Sequence, residues 1–130
     1  MADTLTITQT TGRVTIFHLA GRLDAQTQES LLNAARQARK AGTKFLLFDL
    51  QNLEMLTSAG LGALHNIYKL FTSHEEADAW ERAHPGEVYK SPYFKLAGAS
   101  SNVYYALSVA GFLRNIPSYP TLDEALKSFS

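Results

Sequence analysis

The chain contains no cysteine, which excludes disulfides, thiolate nucleophiles and zinc–thiolate centres. Neither sign of charge prevails: twelve Lys and Arg stand against twelve Asp and Glu in 130 residues, leaving no electrostatic footprint for nucleic acid. Apolar runs are short, far below the roughly 20 residues that a membrane-crossing helix needs. Met1-Ala2-Asp3-Thr4 lacks the charged and apolar regions of a signal peptide. No cofactor or membrane span is expected, and a cytoplasmic location is. Proline is scarce, at four, and neither repeats nor low-complexity segments occur. What remains is an ordinary globular composition, 45% hydrophobic and 18% charged, long enough to bury a core without staples.

The chain is organised around residues 45–71. Phe45-Leu46-Leu47-Phe48 is wholly apolar, as suits a strand buried on both faces, and Asp49 is expected to end it. Leu61, Leu64, Tyr68 and Phe71 then recur along one face of a helix. In the intervening loop Ser58 reads as the helix N-cap, its hydroxyl accepting the free N–H of Gly60 or Leu61. Gly60 and Gly62 fall in the first turn, where each costs about 1 kcal/mol or less relative to alanine. Close packing on the sheet or close approach of a partner would explain them. On local chemistry alone, the plain reading is a cap and two packing glycines.

Around this centre, Leu5–Gln9 and Val14–Leu19 alternate apolar and polar residues and predict an antiparallel hairpin, with His18 on the surface. Asp24 or Thr27 can cap a helix over about 25–41 whose inner face holds Leu31, Ala35 and Ala38, with Gly42 as its stop. Tyr93–Ala97 reads as another strand. A helix follows with Val103, Leu107 and Ala110 inward, stopped by Gly111. Pro117 confines residues 116–119 to an edge or very short strand. Thr121-Leu122-Asp123-Glu124 opens the last helix as a capping box. Residues 72–92 stand apart: Glu75, Glu76, Asp78, Glu81 and Glu87 outweigh Arg82 and Lys90. Glu75–Ala83 extends the second helix or forms a short one, and Trp80 and Tyr89 either pin the segment to the body, the preferred reading, or mark a contact surface. Its His74, Glu75, Asp78 and His84 do not reproduce the H-E-x-x-H metal spacing, so no metal site is expected and a solvated acidic helix is.

Enzymatic chemistry finds little support. Ser58 lacks a G-x-S-x-G context, and His65 lies about 10 Å along the same helix at 1.5 Å per residue, too far to serve as its base. Neither phosphate-binding glycine motif is present. Asp24 and Asp49 read as turn or capping carboxylates at strand-to-helix corners.

Four motifs, in order, carry a resemblance. Gly21-Arg22-Leu23-Asp24, then Asp49-Leu50 with Leu53 and Leu56-Thr57-Ser58-Ala59-Gly60-Leu61, then Ala110-Gly111-Phe112, and finally Asp123-Glu124-Ala125-Leu126 resemble the STAS domain of anti-sigma factor antagonists. Thr57 stands where many members carry aspartate. The resemblance implies an α/β fold, a single STAS-like domain with a mixed sheet of about five strands and helices packed mainly on one face. It also implies an acidic insertion at about 72–92 and, given the absence of an apolar span, a module separate from any transporter. It implies a non-enzymatic protein of bacterial signalling and transcription regulation, phosphorylated on Ser58. Gly21, Arg22, Asp24, Thr57, Ser58, Ala59, Gly60 and Leu61 would meet the partner. That partner is an anti-sigma factor with a histidine-kinase-like ATPase fold, and a serine phosphatase would reset the switch. Two other roles fit the same surface: a STAS accessory subunit of a lipid-transport ATPase, and a small-ligand module using the helix N-terminus as an anion site.

Overall fold

The computed structural model describes residues 4–130; the leader reading of Met1, Ala2 and Asp3 lies outside them. One five-stranded sheet runs in chain order, from β1 (Leu5–Thr10) through β2 (Val14–Leu23), β3 (Phe45–Leu56) and β4 (Phe94–Ala97) to β5 (Ser118–Tyr119). β1 and β2 form the expected antiparallel hairpin, and the remaining neighbours are parallel. The helices are α1 (Gln28–Lys40), α2 (Ser58–Phe71), α3 (His74–Ala83), α4 (Ser101–Val109) and α5 (Leu122–Lys127), with a 3-10 turn at Phe112–Arg114. The mixed α/β architecture is the one the resemblance implies. Among the described residues, no helix is long and apolar enough to cross a membrane.

The main core lies between the sheet and α1, α2 and α4. Phe17 stacks on Phe48 at 5.4 Å between centroids, and Phe48 meets Phe94 edge-on at 4.9 Å, geometries that add to plain area burial. Leu31, Leu32, Ala35 and Ala38 supply the face of α1. Among the described residues, the opposite face is covered by α5, whose Ala125 and the following Phe129 pack on Ile16, Leu47 and Ala97. Its capping box forms as read, with Thr121 Oγ1 accepting from Glu124 N at 3.2 Å. Pro117 donates nothing, yet its carbonyl accepts from Leu96 N at 2.9 Å. β5 is accordingly a two-residue edge.

Several boundaries differ from expectation. β3 does not stop at Asp49 but runs to Leu56, because residues 52–56 pair in parallel with Ala20–Leu23 after two register shifts, each of which places an extra residue in β3. Asp49 therefore sits inside the strand, not at a strand-to-helix corner. His18 is not a free surface residue: its Nδ1 lies 2.8 Å from Asp49 Oδ2 and its Nε2 3.0 Å from Thr10 Oγ1, joining three strands. The buried stripe of α2 is Gly60, Ala63, Leu64, Ile67 and Phe71, rotated from the large-residue stripe toward its small residues. α1 begins at Gln28, since residues 24–27 are taken up by a turn.

The segment 72–92 carries its own helix, α3, rather than an extension of α2. Glu76 fastens it: the Tyr89 hydroxyl donates to one carboxylate oxygen at 2.7 Å and the Tyr93 hydroxyl to the other at 3.2 Å. Tyr89 is only 3% exposed, and Trp80 meets it edge-on at 5.8 Å. Thr72 and Ser91, both buried, share a hydroxyl–hydroxyl bond at 3.1 Å. Removing the segment would therefore strip buried groups from the body, and is not the neutral trimming that an exposed rim would allow. His74 pairs within its own helix with Asp78 at 3.0 Å.

Candidate functional site

The parallel pairing of Arg22 with Met55 and of Leu23 with Leu56 brings the 21–24 corner against the loop that opens α2. Thr57 N donates to Leu23 O at 3.1 Å, and the Thr57 hydroxyl lies 3.5 Å from the same oxygen. The cap is Thr57 rather than Ser58. Thr57 has extended backbone angles (φ −101°, ψ 176°) and accepts from Gly60 N at 3.4 Å, while Ser58 is already the first helical residue. A capping side chain must stand outside the helix to reach back to it; Ser58, one residue further on, points outward and is exposed.

Gly60 is buried, and its lack of a side chain answers to this chain's own backbone. A Cβ there would lie 2.5 Å from Leu23 O and 2.9 Å from side-chain atoms of Leu23 and Leu56. Gly21 is similarly constrained, with φ +108° and Thr4 O only 2.2 Å from a notional Cβ. Gly62, by contrast, is exposed with nothing within 4 Å of such a carbon.

Asp24 is occupied in building the corner. Its Oδ1 accepts from Gln26 N at 3.0 Å and Thr27 N at 3.1 Å, and Arg22 Nε stands 3.6 Å from Oδ2. Desolvation pushes its carboxyl up, but the bonds from Gln26 and Thr27 and the Arg22 charge outweigh this and hold it below the usual carboxylate range. The Thr27 hydroxyl donates to Arg22 O at 2.7 Å, closing the turn. Thus Gly21, Arg22, Asp24, Thr57, Ser58, Ala59, Gly60 and Leu61 do converge on one end of the sheet. Gly60 is buried, Ser58 is exposed, and the others are half-buried.

Electrostatics at this end favour an added anion. α1, α3 and α5 each begin with acidic residues in the first turn, whereas α2, like α4, has none. The positive end of its dipole thus lacks a compensating carboxylate on its own helix. The chemistry available is that of an exposed primary hydroxyl at a positively polarised helix start. Sequence reasoning missed Thr57 as the cap because threonine and serine are adjacent there and both are capping types. It missed the Thr10–His18–Asp49 chain because only the strand register brings those residues together.

The whole chain shares its fold with solved anti-sigma factor antagonists. One from Mycobacterium paratuberculosis superposes with a TM-score of 0.75 at 22% identity, covering 96% of this chain and 93% of the other. A STAS domain protein from Planctomyces limnophilus gives 0.68 at 20% identity, covering 100% and 99%. The Bacillus cell fate determinant SpoIIAA, solved in its phosphorylated form, gives 0.61 at 16%, covering 97% and 99%. None of the curated proteins matches the chain by sequence. Residues 6–75, which hold both the 21–24 corner and the Ser58 loop, match the STAS domain family, and the chain belongs to that family.

Proposed function

We propose that this STAS protein is an anti-sigma factor antagonist, acting in the cytoplasm and switched by phosphorylation of Ser58. In its unmodified form it binds a kinase-type anti-sigma factor of histidine-kinase-like ATPase fold and so frees a sigma factor. The kinase then transfers the γ-phosphoryl group of ATP to Ser58 Oγ, which loses its proton as ADP leaves. A serine phosphatase restores the hydroxyl. The observation that carries this reading is the placement of Ser58: exposed, first in its helix, beside no acidic residue of its own first turn, on a backbone locked by Gly60 against Leu23.

The energetics are asymmetric. Phosphate adds a charge of about −1.5 to −2, and a helix N-terminus stabilises nearby negative charge by roughly 0.3–1 kcal/mol. The fold therefore accepts the group. In a packed interface the same uncompensated charge costs several kcal/mol, so the complex separates. Incubation with the kinase and ATP followed by intact-mass and peptide analysis should place one phosphate on Ser58. Ser58→Asp should fold normally and bind the kinase at least about tenfold more weakly. Because Thr57 holds the cap, Ser58→Ala should stay bound, resist modification and cost well under the ~1 kcal/mol of a lost cap. Phosphate on Thr57 instead, or a partner ATPase bound equally well by Ser58→Asp, would overturn the switch. The latter result would favour the accessory-subunit role.

A further inference from the structure

A cleft of about 470 Å³ lies at the opposite end of α2 from Ser58. With fourteen residues in the helix at 1.5 Å each, the two ends are about 20 Å apart. Three cations from different elements line it: Arg39 from the last turn of α1, Lys44 from the approach to β3, and Lys69 from the last turn of α2. Among the described residues, none of the three has a carboxylate within ion-pair distance; the pairs that do form involve other groups.

The carboxylate that lines the cleft, Glu76, offsets one of these charges in the field of the cleft but makes no ion pair with any of the three, which leaves two positive charges in excess. Both of its oxygens are turned to the hydroxyls of Tyr89 and Tyr93. In a chain of zero formal net charge, this is a local excess of positive charge around a concave surface. Two of the cations also complement the negative ends of their own helices, an ordinary role for a basic last turn. That role uses their charge but little of their hydrogen-bonding capacity: Arg39 makes one long contact, 3.4 Å to Thr43 O. Lys44 lies outside any helix and rests over the Tyr93 and Phe45 rings at 5.9 and 5.5 Å, beside the cleft. Thr72 and Ser73, which lead into α3, complete the wall.

From this convergence we infer a second binding site, for a small molecule bearing a diphosphate group. The volume falls within the range of small-ligand sites, about 300–1,000 Å³. A diphosphate at neutral pH carries charge enough to match three cations, and the planar guanidinium of Arg39 suits two of its oxygens while the lysines act as point charges. Bound there, the ligand would tie the end of α1, the end of α2 and the start of α3 together. The site stands independently of the switch assigned to Ser58.

The test is titration of the full chain with pyrophosphate at constant ionic strength, read by calorimetry and by thermal shift, with inorganic phosphate and citrate alongside. Pyrophosphate should bind at one site, more tightly than either companion, and raise the melting temperature. Arg39 and Lys69 are exposed, so R39A/K69A should fold normally and lose at least about tenfold in affinity. Ser58→Ala should bind as the parent does. No stabilisation at millimolar pyrophosphate, tighter binding of citrate, or unchanged affinity in the folded double variant would each overturn the proposal.

Discussion

The two ends of α2 are held in contrasting ways, and the contrast sets which substitutions each tolerates. At the Ser58 end the chain is fixed by backbone contact, with Gly60 beneath Leu23 O and Thr57 N bonded to that same oxygen. Such a joint cannot accept an added atom but is indifferent to the exposed side chain beside it. Ser58 can therefore change its chemistry without moving. At the Phe71 end the chain is fixed by side chains, with Glu76 held between two tyrosines and Thr72 bonded to Ser91. That joint depends on each polar group keeping its partner.

The largest effect should come from Gly60→Ala. Helix propensity alone would favour alanine, but the new methyl would lie 2.5 Å from a carbonyl oxygen. Overpacking of this kind costs about 1–3 kcal/mol, readable as a lower urea midpoint. A variant as stable as the parent would show that the Leu23 strand end yields easily, and the contrast would collapse.

Next comes the tyrosine pair. Glu76→Ala leaves the buried Tyr89 hydroxyl without its acceptor, a loss of about 1–3 kcal/mol, and should open 72–92 to proteolysis. The same joint predicts alkaline weakness. Burial first, and then the bond to Glu76 and its charge, push the Tyr89 hydroxyl well above its ordinary value. A group whose pKa is raised on folding contributes stability that is complete below its unfolded pKa, about 10 for tyrosine, and is lost as the pH rises through the folded value. Melting temperature should therefore fall above about pH 10 in the parent and fall less steeply in Tyr89→Phe. Parallel alkaline profiles for the two proteins would remove this account.

The smallest effect is the most discriminating. Gly62 lies two residues on from Gly60, about 200° round the helix, and faces open space. Gly62→Ala should stabilise the chain by up to about 1 kcal/mol, opposite in sign to Gly60→Ala. Weakened binding of the proposed anti-sigma partner with raised stability would assign Gly62 to the partner surface; unchanged binding would leave it as an unoptimised helix position.

These differences also explain what could be read in advance. The hairpin, the buried run of β3 and the helices rest on periodicity and stop signals, which are local. The extension of β3 to Leu56 was not visible, because Gln51-Asn52-Leu53-Glu54-Met55 has no regular alternation and stays extended through pairing with β2. Counting large apolar residues placed the inner face of α2 too far round, since Gly60 and Ala63 are buried by being small. The site loop was legible as a motif, though the choice between Thr57 and Ser58 as cap turns on a single residue's backbone angles. Nothing local marks Glu76 as the partner of tyrosines 13 and 17 residues away.

The order of the strands has a kinetic consequence. The hairpin of β1 and β2 closes through the short turn at Thr11-Gly12-Arg13, an event of about 1–10 μs. Every later pairing is parallel and must wait for a helical crossover. The crossover from Leu56 to Phe94 carries both α2 and α3, yet the entropy of closing a loop grows only logarithmically, by about 0.6 kcal/mol for each doubling in length. Extra chain is cheapest to carry where the connection is already long. That is where α3 is found, so the fold can lengthen beyond the C-terminal end of α2 with little delay to its assembly.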